Sequence, residues 1–152
     1  MNSEVFKIAP SFYGISQVPE EIWIEYGFAL LTIAGSDGDV SDPELEWLTI
    51  DLAFANDIPE EIISEWEDFE YDDADLGEIF SAIKVKSFTS YNKLLLYDAI
   101  RMSYADDDYA EEEREKVGEA AGLLGINSET VTAIESLIEM ERAADKLRLI
   151  IL

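Results

Sequence analysis

One eleven-residue pattern occurs twice, and it constrains the fold more than any other feature of the chain. Ala34-Gly35-Ser36-Asp37-Gly38-Asp39-Val40-Ser41-Asp42-Pro43-Glu44 has its counterpart, 69 positions on, in Ser103-Tyr104-Ala105-Asp106-Asp107-Asp108-Tyr109-Ala110-Glu111-Glu112-Glu113. In each copy an apolar helical stretch ends, Asp-x-Asp follows, and a Glu stands seven residues after the first Asp. An apolar residue, Leu48 or Val117, comes four positions later. The match resumes at Ile58-Pro59-Glu60-Glu61-Ile62 against Ile126-Asn127-Ser128-Glu129-Thr130-Val131, with one residue gapped. The chain therefore reads as two three-helix units, at about residues 19–69 and 91–145, joined by a short helix. They are expected to share one core about a pseudo-twofold axis.

Apolar spacing supports an all-α fold of about seven helices in a single domain, residues 1–152. Ile22, Tyr26, Ala29, Leu30 and Ile33 recur at intervals of three and four, which places them on one stripe. Leu45, Leu48, Leu52 and Ala55 do the same in a second helix, and Ile62, Ile63, Trp66 and Phe69 in a third that opens after Pro59. Leu76, Ile79, Phe80 and Ile83 mark a short fourth helix. A fifth, from about Tyr91 to Ala105, carries Leu94, Leu95, Asp98, Ile100 and Met102. The sixth runs from about Ala110 to Leu124, where Gly125 suits a left-handed stop. The seventh starts near Ser128, with an inward stripe of Val131, Ile134, Leu137 or Ile138, Glu141 or Ala144, and Leu147. Trp23, Trp47 and Trp66 are expected at the core or its rim, and Asp98 as an inward carboxylate paired with Arg101 or Lys93. Residues 1–17 are expected to be irregular.

Composition narrows the chemistry. The 152 residues include no Cys and no His, so thiolate chemistry, zinc sites built on those ligands and His-dependent relays are excluded. The net charge is −25. Nucleic-acid binding needs Lys and Arg to displace counterions, so no nucleic-acid partner is expected. No apolar stretch approaches the roughly 20 residues that span a bilayer, and none resembles a secretory leader. The expectation is a cytoplasmic protein that does not insert in a membrane. Residues 1–83 carry a net charge of −20 and residues 84–152 only −5, so the first half is suited to a cation or to a protein partner with a basic surface.

The acids of the duplicated pattern form two sets: Asp37, Asp39 and Glu44, and Asp106, Asp108 and Glu113. Each first Asp follows a helix C-terminus, where the macrodipole disfavours a carboxylate. A hard divalent cation, Ca²⁺, Mg²⁺ or Mn²⁺, would offset that, since all three take oxygen ligands. Capping is the other account. Ser41-x-x-Glu44 is a capping-box sequence, with Asp42 and Pro43 suited to the first turn. Ala110 occupies the cap position of the second copy, so no box is expected there, yet Asp-x-Asp and Glu are retained. An EF-hand fails, because its sixth position would be Asp42 and its twelfth Leu48. The two acid-rich elbows are expected side by side, their mutual repulsion calling for a counter-ion.

An acid-Gly junction with a Glu seven residues on, occurring twice in a helical domain of about 150 residues, resembles the TerB tellurite-resistance family and its TerB-like relatives. The resemblance covers roughly residues 22 to 145. It implies a seven-helix fold with acidic residues clustered between repeats and proposed to bind metal, here Asp37 and Glu44, and Asp106 and Glu113. It also implies a cytoplasmic role, with partners, in a stress-response or phage-defence system. Family members usually read Ala-Asp-Gly at the junction. This chain has Ser36-Asp37-Gly38 and Ala105-Asp106-Asp107, so the second copy lacks the Gly that accepts left-handed backbone angles most easily. The function expected is a non-enzymatic, divalent-metal-binding adaptor or scaffold. Two other readings stand beside it: an acidic protein that mimics nucleic-acid charge and blocks a basic partner, and a carboxylate-based hydrolase. The hydrolase is disfavoured because no acid is visibly set in an apolar pocket.

Overall fold

The computed structural model describes residue 18 and residues 20–86 and 91–152, the side chains at 85 and 86 excepted. The expectation of an irregular segment at residues 1–17 lies outside the described residues. Within them the chain forms seven helices and no strand. They are α1 (Trp23–Ala34), α2 (Asp42–Glu46, continued by a π-helical stretch Trp47–Leu52 to Ala53–Ala55), α3 (Glu60–Glu67), α4 (Leu76–Lys86), α5 (Asn92–Ser103), α6 (Glu111–Leu124) and α7 (Ser128–Ile151). Short 3-10 turns at Glu20–Ile22, Gly35–Asp37, Tyr71–Asp73 and Tyr104–Asp106 mark the entries and exits.

α1 and α5 are the central pair. α1 is apolar almost all round, and nine of its twelve residues are buried. A helix of that kind belongs in the interior. It packs on α5, α4, α3 and α6. Its inward stripe is the one the spacing predicts, with Ile22, Tyr26, Ala29, Leu30 and Ile33 all closed to solvent. Trp66 of α3 crosses it at Gly27. The indole Nε1 donates to the carbonyls of Trp23 at 3.0 Å and Ile24 at 3.2 Å. That approach requires glycine, because a Cβ at position 27 would lie 2.0 Å from Nε1. Trp23 and Trp66 are buried, and Trp47 is half-buried.

The duplicated sequence produces matching backbone at two corners. The 3-10 turn Gly35–Asp37 is followed by Gly38 at φ 108°, and Tyr104–Asp106 by Asp107 at φ 65°. Gly38 N–H donates to the Gly35 carbonyl at 3.0 Å, and Asp107 N–H to that of Tyr104 at 2.8 Å. The corners after α2 and α6 also correspond. Asp57 and Gly125 take left-handed angles, and Ile58 and Ile126 donate back to Ala53 and Ala121 at 2.9 and 2.8 Å. Gly125 is the stop the sequence predicts, whereas Asp57 at φ 53° carries no such signal. The helices between the corners differ, since only α2 contains a π-helical stretch, where Thr49 Oγ1 donates to the Leu45 carbonyl at 2.9 Å.

The inward stripe of α7 ends earlier than its spacing suggests. Ile138 is buried, but Leu137, Ala144 and Leu147 are exposed. The helix docks on α5 and α6, with Glu141 accepting from the Tyr97 hydroxyl at 2.6 Å.

Gly27→Ala is expected to lower unfolding free energy by about 1–3 kcal/mol, the usual cost of overpacking. Gly118→Ala, in the exposed interior of α6 with no atom near the added Cβ, should raise it by up to about 1 kcal/mol through helix propensity. Urea denaturation of both variants measures the contrast.

Candidate metal centre

Each junction ends in a β-region cap residue, Ser41 at ψ 161° or Ala110 at ψ 158°, from which the next helix departs. At the first, Ser41 Oγ accepts from Glu44 N–H at 3.3 Å, and Glu44 Oε1 accepts from Ser41 N–H at 2.9 Å. This is the complete capping box the sequence predicts. At the second, Ala110 has no side-chain acceptor, yet Glu113 Oε1 still accepts from Ala110 N–H at 2.8 Å. The expectation of no box there is thus corrected to half a box. The reciprocal Glu contact needs only the backbone of the cap residue, so loss of the Ser leaves it intact.

The start of α2 lies against the second junction's 3-10 turn, and α6 lies against the first's. This exchange brings Glu44 and Glu113 together in the interior, at 1 % and 0 % exposure. Oε1 of each is used by its own cap N–H. Oε2 of each is buried without a hydrogen-bond donor. Burial pushes both carboxyls above their usual range. In Glu113 the contact with Glu44 adds to that rise, with a further contribution from the charge of Asp37. In Glu44 the contact with Glu113 and the Ser41 N–H oppose the rise, while Asp106 adds to it. Two carboxyls in such contact titrate as a pair, and both hold a proton to higher pH than a free glutamate does.

The structure therefore groups the predicted acids across the junctions. Glu44 feels Asp106, and Glu113 feels Asp37. Asp106 is half-buried; Asp37, Asp39 and Asp108 are exposed. Asp37 and Asp106 each fold back to accept the N–H two residues on, from Asp39 at 3.3 Å and Asp108 at 3.1 Å. These contacts are the turn chemistry of Asp. Asp39 also lies 3.5 Å from the Tyr71 hydroxyl. Among the described residues no three acids converge as tightly as a bound ion requires.

Several supports of the site gave no sequence signal. Asp107 occupies the left-handed position that Gly38 fills in the first copy, and it is held by Arg142 of α7. Arg142 also donates to the Tyr104 carbonyl at 3.1 Å and stacks 4.6 Å from that ring. Its hydrogen bond to Asp107, reinforced by its charge, holds that carboxyl below the usual range. Arg114 stacks 4.4 Å from Tyr109 and pairs with Glu135 at 2.9 Å, so α7 is clamped to the second junction twice.

A third buried acid lies apart from the junctions. Asp98 accepts from the Tyr26 hydroxyl at 2.6 Å and pairs with Arg101 at 3.5 Å, the first of the two partners the sequence offers. Burial raises its pKa to about 6 against the opposing pull of Arg101 and Tyr26. The sequence-based expectation that no acid sits in an apolar pocket is thus overturned by Glu44, Glu113 and Asp98. Glu44 and Glu113 lie among charged neighbours along the chain, and their burial comes from helices distant in sequence, whereas Asp98 stands among apolar residues and points inward as the sequence predicts. A cavity of about 820 Å³ lies among α1, α4, α5 and α6, lined by Ile22, Tyr26, Phe80, Tyr91 and Leu124. None of the three buried acids lines it.

These features define a class: an all-helical protein with two acid junctions whose glutamates meet in the core. The chain belongs to the TerB family, since the profile described as tellurite resistance protein TerB matches residues 27–136. A crystal structure of a tellurite resistance protein from Nostoc punctiforme is similar, with a TM-score of 0.77 at 29 % identity over 98 % of this chain and 93 % of that one. No curated protein matches the chain. No described helix is long and apolar enough to cross a membrane.

Asp98 binds its proton more tightly folded than unfolded. Its contribution to stability is therefore present in full below pH 4 and is lost as pH rises through about 6. The expected loss is about 3 kcal/mol, at about 1.4 kcal/mol per pKa unit. Asp98→Asn, which keeps an acceptor for Tyr26, should remove that part of the slope in urea titrations between pH 4 and 7.

Proposed function

We propose that the protein is a non-enzymatic, divalent-cation-binding adaptor of a tellurite-type stress-resistance system. The observation that carries the reading is the pair of buried Oε2 atoms on Glu44 and Glu113, neither of which meets a hydrogen-bond donor. Buried carboxylate oxygens without partners are costly, and a bound cation, like a shared proton, offsets that cost for both at once. Glu44 and Glu113 would hold the ion, with Asp37 and Asp106 supplying further charge and Asp39 and Asp108 as outer ligands. Oxygen donors alone suit Ca²⁺, Mg²⁺ or Mn²⁺. Binding would displace the proton held between the glutamates, so affinity rises with pH. TerB membership supports the resistance role.

The adaptor part rests on charge. The −20 of residues 1–83 favours a protein partner with a basic surface, in a cytoplasmic setting. The hydrolase reading gains three acids of raised pKa, but Asp98 is engaged by Tyr26 and Arg101, and the glutamate pair is closed to a substrate.

At ten times Kd, Ca²⁺ or Mn²⁺ should add about 1.4 kcal/mol to unfolding free energy, read as a rise of about 3–6 °C in Tm. Asp37→Asn with Asp106→Asn should abolish the shift. Glu44→Gln with Glu113→Gln should also abolish it while raising Tm in the absence of cation, because the buried charge is gone. Unchanged melting in millimolar cation at low salt would sink the proposal.

A further inference from the structure

Arg101 joins the acid centre to the third buried acid. Trp47 of α2 stands three residues after Glu44, so the two side chains share one face of the helix. The guanidinium of Arg101 lies 5.3 Å from the centre of the Trp47 ring and 5.1 Å from that of Tyr97. Both distances are those of a cation–π contact. The same guanidinium pairs with Asp98 at 3.5 Å, and Asp98 accepts from the Tyr26 hydroxyl at 2.6 Å. A chain of side chains thus runs from α1 through α5 to α2. The α-helical part of α2, Asp42–Glu46, is five residues long, and at Trp47 the backbone passes into the π-helical stretch. So short a helical segment holds its place through tertiary contacts rather than through its own hydrogen bonds.

We infer that Arg101 is a positioning residue of the acid centre. It pins the first turns of α2 through Trp47, so fixing Glu44 against Glu113, and the charge on Asp98 sets how firmly it does so. With Asp98 charged, Arg101 is held between its counter-charge and two rings. When Asp98 takes up a proton the ion pair is lost, and the Arg101 side chain, 32 % exposed, is free to turn to water. The hold is present above about pH 6 and lost below it. Among the described residues, the charged and titratable groups that act on Asp98 are Arg101 and Tyr26. Of the other elements packed on α5, α2 brings the neutral Trp47 ring, and α7 brings Glu141, which accepts from Tyr97. α6 brings the Leu124 carbonyl, which accepts from Asn92, and the turn after α5 brings Asp106, which acts on Glu44. The inference rests on the cation reading only for its effect on affinity, since the pinning of α2 needs no ion.

The indole N–H resonance of Trp47 in the full chain tests the pinning without any cation. It is assigned by its loss in Trp47→Phe and followed by NMR from about pH 4 to 8. In the wild type it should move with a midpoint of about 6, and that step should vanish in Asp98→Asn and in Arg101→Met. Calorimetric titration with Ca²⁺ at neutral pH tests the link to Glu44. Trp47→Leu leaves the Asp98 pair intact, and both it and Arg101→Met should weaken binding about fivefold, with Arg101→Lys recovering part of the loss. An indole resonance that stays still through pH 6, or moves equally in Asp98→Asn, would overturn the inference. Equal Ca²⁺ affinity in the wild type and Trp47→Leu would overturn the link to Glu44. A wild type that binds no Ca²⁺ would overturn the cation reading instead, and the indole step then decides the pinning by itself.

Discussion

Two carboxyl groups meeting in a closed interior set the terms for the rest of this protein. Glu44 and Glu113 come from helices that begin at different junctions, and each reaches its partner only because each helix start leans on the other junction's turn. The contact is stable only with a proton or a cation between the two groups. The junctions, the caps and the clamps from α7 all serve to fix where that contact falls.

The two junctions reach the same backbone by different means. The first has Gly38 in the left-handed position and Ser41 as a full cap. The second has Asp107 and Ala110, which are poorer choices for both roles. Arg142 of α7 holds Asp107 and Tyr104, and Arg114 of α6 covers Tyr109 and pairs with Glu135 of α7. Tertiary contact thus replaces what local chemistry lacks, and it explains how the second copy keeps its shape without glycine. It also ties the acid centre to α7.

Membership of the TerB family agrees with the acid junctions, and the Nostoc punctiforme structure extends the likeness over nearly the whole chain. The cation reading draws its force from the buried Oε2 atoms. The exposed aspartates on their own are explained by turns.

Much of the fold was legible because helical periodicity and stop signals are local properties. The stripes of α1 and α5, the capping box at Ser41 and the left-handed stop at Gly125 follow from residues within a few positions of one another. The duplicated pattern likewise named the six acids. What the chain alone left open is which acids share a space. Glu44 and Glu113 are 69 positions apart, and each looks like an ordinary capping acid in its own helix. The Tyr26 hydroxyl on Asp98 and the rescue of Asp107 by Arg142 have the same origin. Each depends on which helices meet, and the energy that decides it is exerted across the core between residues the sequence keeps far apart.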